Sequence, residues 1–139
     1  MENLIAPEAV AVFFARVLLG ILFMFQGYDK IFSMGIKTVV QSIQVQLQKT
    51  NLPYFIIYST VIFTSFVEFI GGMLLIIGLF KYYALYFLGF DLLIASLFLS
   101  IANPLWKMDF VLPRFILLIF VIMIPCDFDF FTLDKVLFQ

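Results

Sequence analysis

Three ionisable side chains stand where an uninterrupted apolar run would be expected: Arg16, Glu68 and Asp91. Glu68 lies in the middle of Thr64–Gly78, TSFVEFIGGMLLIIG, and Asp91 in the middle of Tyr82–Ala102. A lone charge at the centre of a bilayer costs about 2.5–3.5 kcal/mol, so three of them demand partners. An arginine and two acids on three helices can form a buried ion pair with one acid left over. That spare acid is met by a proton, by Arg114 turning inward, or by a ligand or water. The extra proton is the preferred expectation, and two acids sharing one guanidinium would titrate as a unit.

Depths along the helices support the grouping. At 1.5 Å per residue, Arg16 lies roughly 10 Å, Asp91 roughly 14 Å and Glu68 roughly 15–18 Å from the side that carries the termini. A second polar group, Gln26, Asp29, Lys30 and Arg114, falls near the opposite side, with Asp29 the expected partner of Arg114. Three readings of the Arg16, Glu68 and Asp91 residues stay open: a structural clamp that decides which helices pack together, a working site for protons or a quinone head group, or charges that snorkel or face a partner subunit.

The elements that must position these groups are legible from composition. Of 139 residues, 65% are hydrophobic and only 12% charged. A soluble domain of this size could not hide so much apolar surface, so lipid is the fitting solvent. The fold class expected is all-α: one domain over 1–139, a bundle of four transmembrane helices. The spans are about 9–32, 54–80, 82–102 and 110–126, with an amphipathic interfacial helix at about 33–50 in the first loop. Along the first span Arg16, Gly20, Phe23, Gly27 and Lys30 share one face. Gly20 and Gly27 there, and Gly71 and Gly72 in the second span, are candidate helix-packing residues because glycine lets a second backbone approach closely. Pro53 marks the start of the second span, and Asn103–Asp109 turns the chain before the fourth.

Several functions are disfavoured. The net charge of −1 leaves no basic patch for nucleic acid. There is no histidine and only one cysteine, Cys126, so no metal site, haem ligand or disulfide is expected. The N-terminus does not read as a cleaved signal peptide. Lys30, Lys37, Lys49 and Lys107 lie on one side, against Lys81 and Lys135 with Glu2, Glu8, Asp127, Asp129 and Asp134 on the other. That bias makes the first and third loops cytoplasmic and leaves both termini outside.

With those residues in place, the chain resembles the DoxX family of small four-helix membrane proteins. RVLLGILFMFQGYDKIF (Arg16–Phe32) is similar to the family's opening Arg-x-x-x-Gly…Gly-x-x-Lys segment, and VEFIGGMLLIIGLF (Val67–Phe80) to its Glu-x-x-Gly-Gly segment. The resemblance implies a bacterial cytoplasmic-membrane protein and a link to membrane redox chemistry. One branch of the family serves as a subunit of a thiosulfate:quinone oxidoreductase, and other relatives are assembly or stability factors. The role implied is an accessory or stabilising subunit of a membrane complex, partnered by another membrane protein or by copies of itself, with a quinone as the one cofactor candidate. The alternative is a stand-alone quinone- or proton-handling enzyme or carrier. Many family members carry His where this chain has Gln26, which weakens any transfer of redox or metal chemistry.

Overall fold

The computed structural model describes residues 6–102, 108–125, 129 and 132–138. The order is α1 (Pro7–Tyr28), a π-helical turn (Asp29–Ser33), α2 (Ile36–Gln46), α3 (Tyr54–Ile77), α4 (Lys81–Ala102), a 3-10 turn (Met108–Phe110), α5 (Val111–Met123) and α6 (Leu133–Phe138). Among the described residues there is no strand. Three segments, Pro7–Ser33, Tyr54–Ile77 and Lys81–Ala102, are long and apolar enough to cross a membrane. At 13 residues α5 is about 20 Å long, shorter than a hydrocarbon core of about 30 Å. The turn expected at 103–109 falls mostly outside the described residues, as do Glu2, Lys107, Cys126 and Asp127.

Local chemistry explains the boundaries. Pro7 opens α1, where its missing N–H costs nothing, and Glu8 sits favourably at the positive end of the helix dipole. The π-helical turn continues α1 through a wider step, closed by Met34 N–H donating to the Asp29 carbonyl at 2.8 Å. Gly35, at φ 79°, then breaks the direction and admits α2, which is shorter than the expected 33–50. α3 starts directly after Pro53 and ends on Gly78 in the left-handed conformation, where the Gly78 and Leu79 N–H groups both return to the Leu74 carbonyl. Only two residues separate Gly78 from α4, so α3 and α4 form an antiparallel hairpin.

α1 and α3 make the most extensive pairing in the molecule. Glycines set its closeness. A Cβ on Gly72 would stand 2.4 Å from the Met24 nitrogen, and one on Gly27 2.5 Å from the Phe69 nitrogen. Gly20 lies against Gly72 and Ile76 in the same way, whereas Gly71 faces Leu88 of α4. These contacts pair residues whose numbers sum to about 96, an antiparallel register that places Glu68 opposite Gly27 and Tyr28.

Two apolar cores flank this pair. Leu19, Phe23, Leu75, Leu85, Leu88 and Val121 belong to one that joins α1, α3, α4 and α5. Val39, Val40 and Leu47 meet Ile57 and Val61 in the other, between α2 and α3. Large apolar side chains such as Phe14, Phe55, Tyr83 and Leu97 point outward, which is stable in lipid rather than in water.

Candidate functional site

Arg16, Glu68 and Asp91 are all buried, but they do not form one cluster. The Arg16 guanidinium donates at 2.5 Å to the carbonyl of Leu75, two turns along α3 from Glu68, and lies beside Gly78. Its acidic partner is Asp129, 3.4 Å away, which also takes Lys81 at 3.0 Å. The expected Arg16–Glu68–Asp91 cluster is therefore corrected. The depth estimate assumed that α1 and α3 begin and end level with one another. The glycine contacts instead slide Arg16 to the end of α3, where the C-terminal segment supplies an acid.

Glu68 meets what the other end of α1 provides. Its Oε1 accepts from Lys30 Nζ at 2.8 Å and from Gln26 Nε2 at 3.0 Å. Lys30 reaches inward from the π-helical turn, an element that recurs at functional sites because it re-aims side chains. Gln26 is oriented from its far side: Arg114 of α5 donates to its Oε1, and the Arg114 guanidinium lies 5.9 Å from the centre of the Phe23 ring. The expected pairing of Arg114 with Asp29 does not occur among the described residues. Arg114 turns inward instead, where its charge acts on Glu68 and Asp91.

Asp91 completes the group from α4. It is 1% exposed and meets the Glu68 carboxyl, and no N–H donor of the described residues reaches either of its oxygens. The site is thus Gln26, Lys30, Glu68, Asp91 and Arg114, from four helical elements. Two bases thus face two acids that lie against one another. A paired, hydrogen-bonded set is the arrangement in which buried charges are tolerated.

The acids form one end of a cavity of about 150 Å³. Lys30, Glu68, Asp91 and Thr64 make its polar end, while Ile57, Val61, Ile94, Ala95, Phe98 and Leu99 make an apolar shaft. Thr60 of α3, Ile43 and Gln46 of α2, and Leu47 just after α2 line it as well. The polar end can hydrogen-bond a head group, and the shaft can hold a ring or chain. On the other side of the cluster, Gln26, Asp29, Lys30 and Arg114 line a more open groove with Ile21 and Phe25.

A family model for DoxX matches residues 11–100. The chain belongs to the DoxX family. Within this DoxX chain the match spans α1 to α4, and so includes Gln26, Lys30, Glu68 and Asp91, but not Arg114 or Asp129. No curated protein and no solved structure matches it. The described residues contain no group of three or more acids or cysteines placed to hold a metal.

Lys81 and Asp129 were not singled out as site residues by sequence reasoning. Lys81 reads as a hairpin connection and Asp129 as part of an acidic tail, yet each is almost wholly buried. The available signal was the crowding of acids on the side that also carries Lys81. Asp134 acts there too, its carboxylate accepting from the Phe80 N–H at 2.9 Å and the Lys81 N–H at 3.2 Å. It thereby caps α4 from a distant part of the chain.

Proposed function

We propose that this DoxX protein is an amphiphile-binding subunit of a quinone-linked membrane assembly. The observation that carries the reading is the cavity whose polar end is Lys30, Glu68 and Asp91 and whose shaft is apolar. Its volume is close to that of an engineered cavity in another protein that takes up benzene, which suits a single ring. A quinone head with its chain along Ile94 and Phe98 matches both ends chemically. The accessory role is supported by an aromatic outer face of α3 and α4, where Phe55, Phe63, Tyr83 and Phe87 line a broad groove. Another membrane protein or a second copy is the partner in this reading.

The same reading places the protein in the bacterial cytoplasmic membrane as one domain, with α5 and its flanks making a fourth crossing and α2 lying at the interface. Both termini are then outside, by the lysine bias of the first and third loops. Purification from native membranes in mild detergent tests the proposal. A stable larger assembly that retains an extractable quinone is expected. Migration as an isolated chain with no quinone above the membrane background defeats it.

One observation favours a second reading, a proton-handling carrier or enzyme. The cluster lies between the open groove at Asp29 and the cavity at Asp91, so acids and bases connect the two. Glu68→Gln separates the readings. A carrier keeps its fold and loses turnover, whereas a binding subunit loses retained ligand.

A further inference from the structure

The cavity has a polar rail as well as apolar walls. Thr60, Thr64 and Glu68, spaced four residues apart, share one face of α3, and all three line it. Gln46 of α2 adds an amide to the same wall. The Thr64 hydroxyl donates to the Val61 carbonyl at 3.2 Å and so keeps its lone pairs for another donor. The rail ends on two buried carboxyls, Glu68 and Asp91, that lie against one another.

Two touching carboxyls removed from water hold one proton between them, because two bare carboxylates would repel. Glu68 Oε1 shows what else this acid accepts, for it holds the Lys30 ammonium at 2.8 Å. A ligand ammonium can take the place of the shared proton at Glu68 Oε2 and Asp91, which no N–H donor of the described residues reaches. The exchange leaves the total charge of the group unchanged. A primary ammonium brings three donors, enough for both acids and the Thr64 oxygen, and its bonds to ionised acceptors are about twice as strong as neutral ones. An anionic head would instead lie against the acid pair and be repelled.

We infer that the cavity binds a lipophilic primary amine in exchange for one proton, with the ammonium on Glu68 and Asp91 and the ring or chain in the apolar shaft. This rests on the amphiphile-binding reading of the cavity and not on a quinone head. The O–H bond of the acid pair breaks, its proton passes to water, and N–H···O bonds to the two carboxylates form in its place. Lys30 on the π-helical turn and Arg114 on α5 are the cations that act on the pair, and Asp29 stands on the groove side. The part of α2 that lines the cavity carries no titratable group. Since a proton leaves as the amine enters, binding tightens as pH rises, by about tenfold per pH unit for one proton.

Equilibrium dialysis of the full chain in detergent at pH 6, 7 and 8 tests the inference. The probes are 2-phenylethylamine, 2-phenylethanol and 3-phenylpropionate. The amine is expected to bind more tightly than the other two, by about tenfold or more at pH 8. An indicator dye in weak buffer should report about one proton released per amine bound. Asp91→Asn, which dismantles the acid pair, should remove that proton release and shrink the preference for the amine to less than about threefold. Ala95→Phe, which fills the shaft, should abolish saturable binding of all three. Amine binding that is indifferent to pH and releases no proton overturns the exchange and leaves the cavity as an amphiphile site. Tighter binding of the alcohol or the carboxylate overturns the ligand class. Binding of no probe, or binding indifferent to Ala95→Phe, overturns the cavity reading itself. The pH dependence and the proton count are read on the unaltered protein, so a variant that fails to fold does not rescue the inference.

Discussion

Lys30 Nζ lies 2.8 Å from Glu68 Oε1, and that contact ties the π-helical end of α1 to the middle of α3. Lys30 is partly exposed at 23%, whereas Glu68 is 2% exposed. The two residues are therefore unequal: Glu68 depends on Lys30 more than the reverse. Lys30→Met should destabilise the protein by about 3 kcal/mol, at the low end for breaking a buried pair because Gln26 still donates to the acid. Lys30→Met with Glu68→Leu should recover much of the loss, since an apolar pair strands no charge. Unfolding titrations of the three variants in mixed micelles check this. A double variant less stable than Lys30→Met would contradict the pairing.

The α1–α3 crossing should tolerate no Cβ at Gly72. There a methyl group would meet backbone, the Met24 nitrogen at 2.4 Å and the Gly20 carbonyl at 2.6 Å, and backbone cannot rotate aside. Gly72→Ala is expected to cost about 1–3 kcal/mol, the range for overpacking. Gly89 is the internal control, because its added Cβ would find Leu118 at 3.5 Å, an ordinary contact. Gly89→Ala should be neutral or stabilising by up to about 1 kcal/mol through helix propensity. Thermal unfolding of both variants gives the comparison, and equal losses at the two sites would refute it.

The C-terminal segment is held by two carboxylates of unequal weight. Asp129 is shared by Arg16 and Lys81, so Asp129→Ala leaves two buried cations facing each other and should cost about 3–5 kcal/mol. Asp134 caps α4 and acts on Arg16 less than Asp129 does, so Asp134→Ala should cost about 1 kcal/mol. Limited proteolysis near the C-terminus and chemical unfolding report both. The order of the two losses is the prediction, and its reversal would count against it.

Arg114 should be energetically coupled to Asp91. Its loss leaves the cluster with two acids and one base, and neutralising one acid should restore the balance. A double-mutant cycle of Arg114→Met and Asp91→Asn is expected to give a coupling of about 0.5–3 kcal/mol, the double variant being more stable than the sum of the singles predicts. Strict additivity would show that Arg114 serves Gln26 alone.

What the chain determines by itself is local. Apolar runs longer than 20 residues between Pro7, Pro53, Gly78 and Ala102 specify long helices, because lipid leaves the backbone no other partner. The cost of a charge in such a run likewise says that Arg16, Glu68 and Asp91 must each be compensated, and Arg16 and Glu68 each meet an oppositely charged side chain. The identity of the partners was not local. Gly20, Gly27 and Gly72 slide α1 along α3 until backbones touch, and that register gives Glu68 to Lys30 and sends Arg16 to Asp129. A shift of a few residues changes no helix and no composition, yet it exchanges every pairing across the interface. Only the packed structure decides it, because close contact between two surfaces depends on both at once.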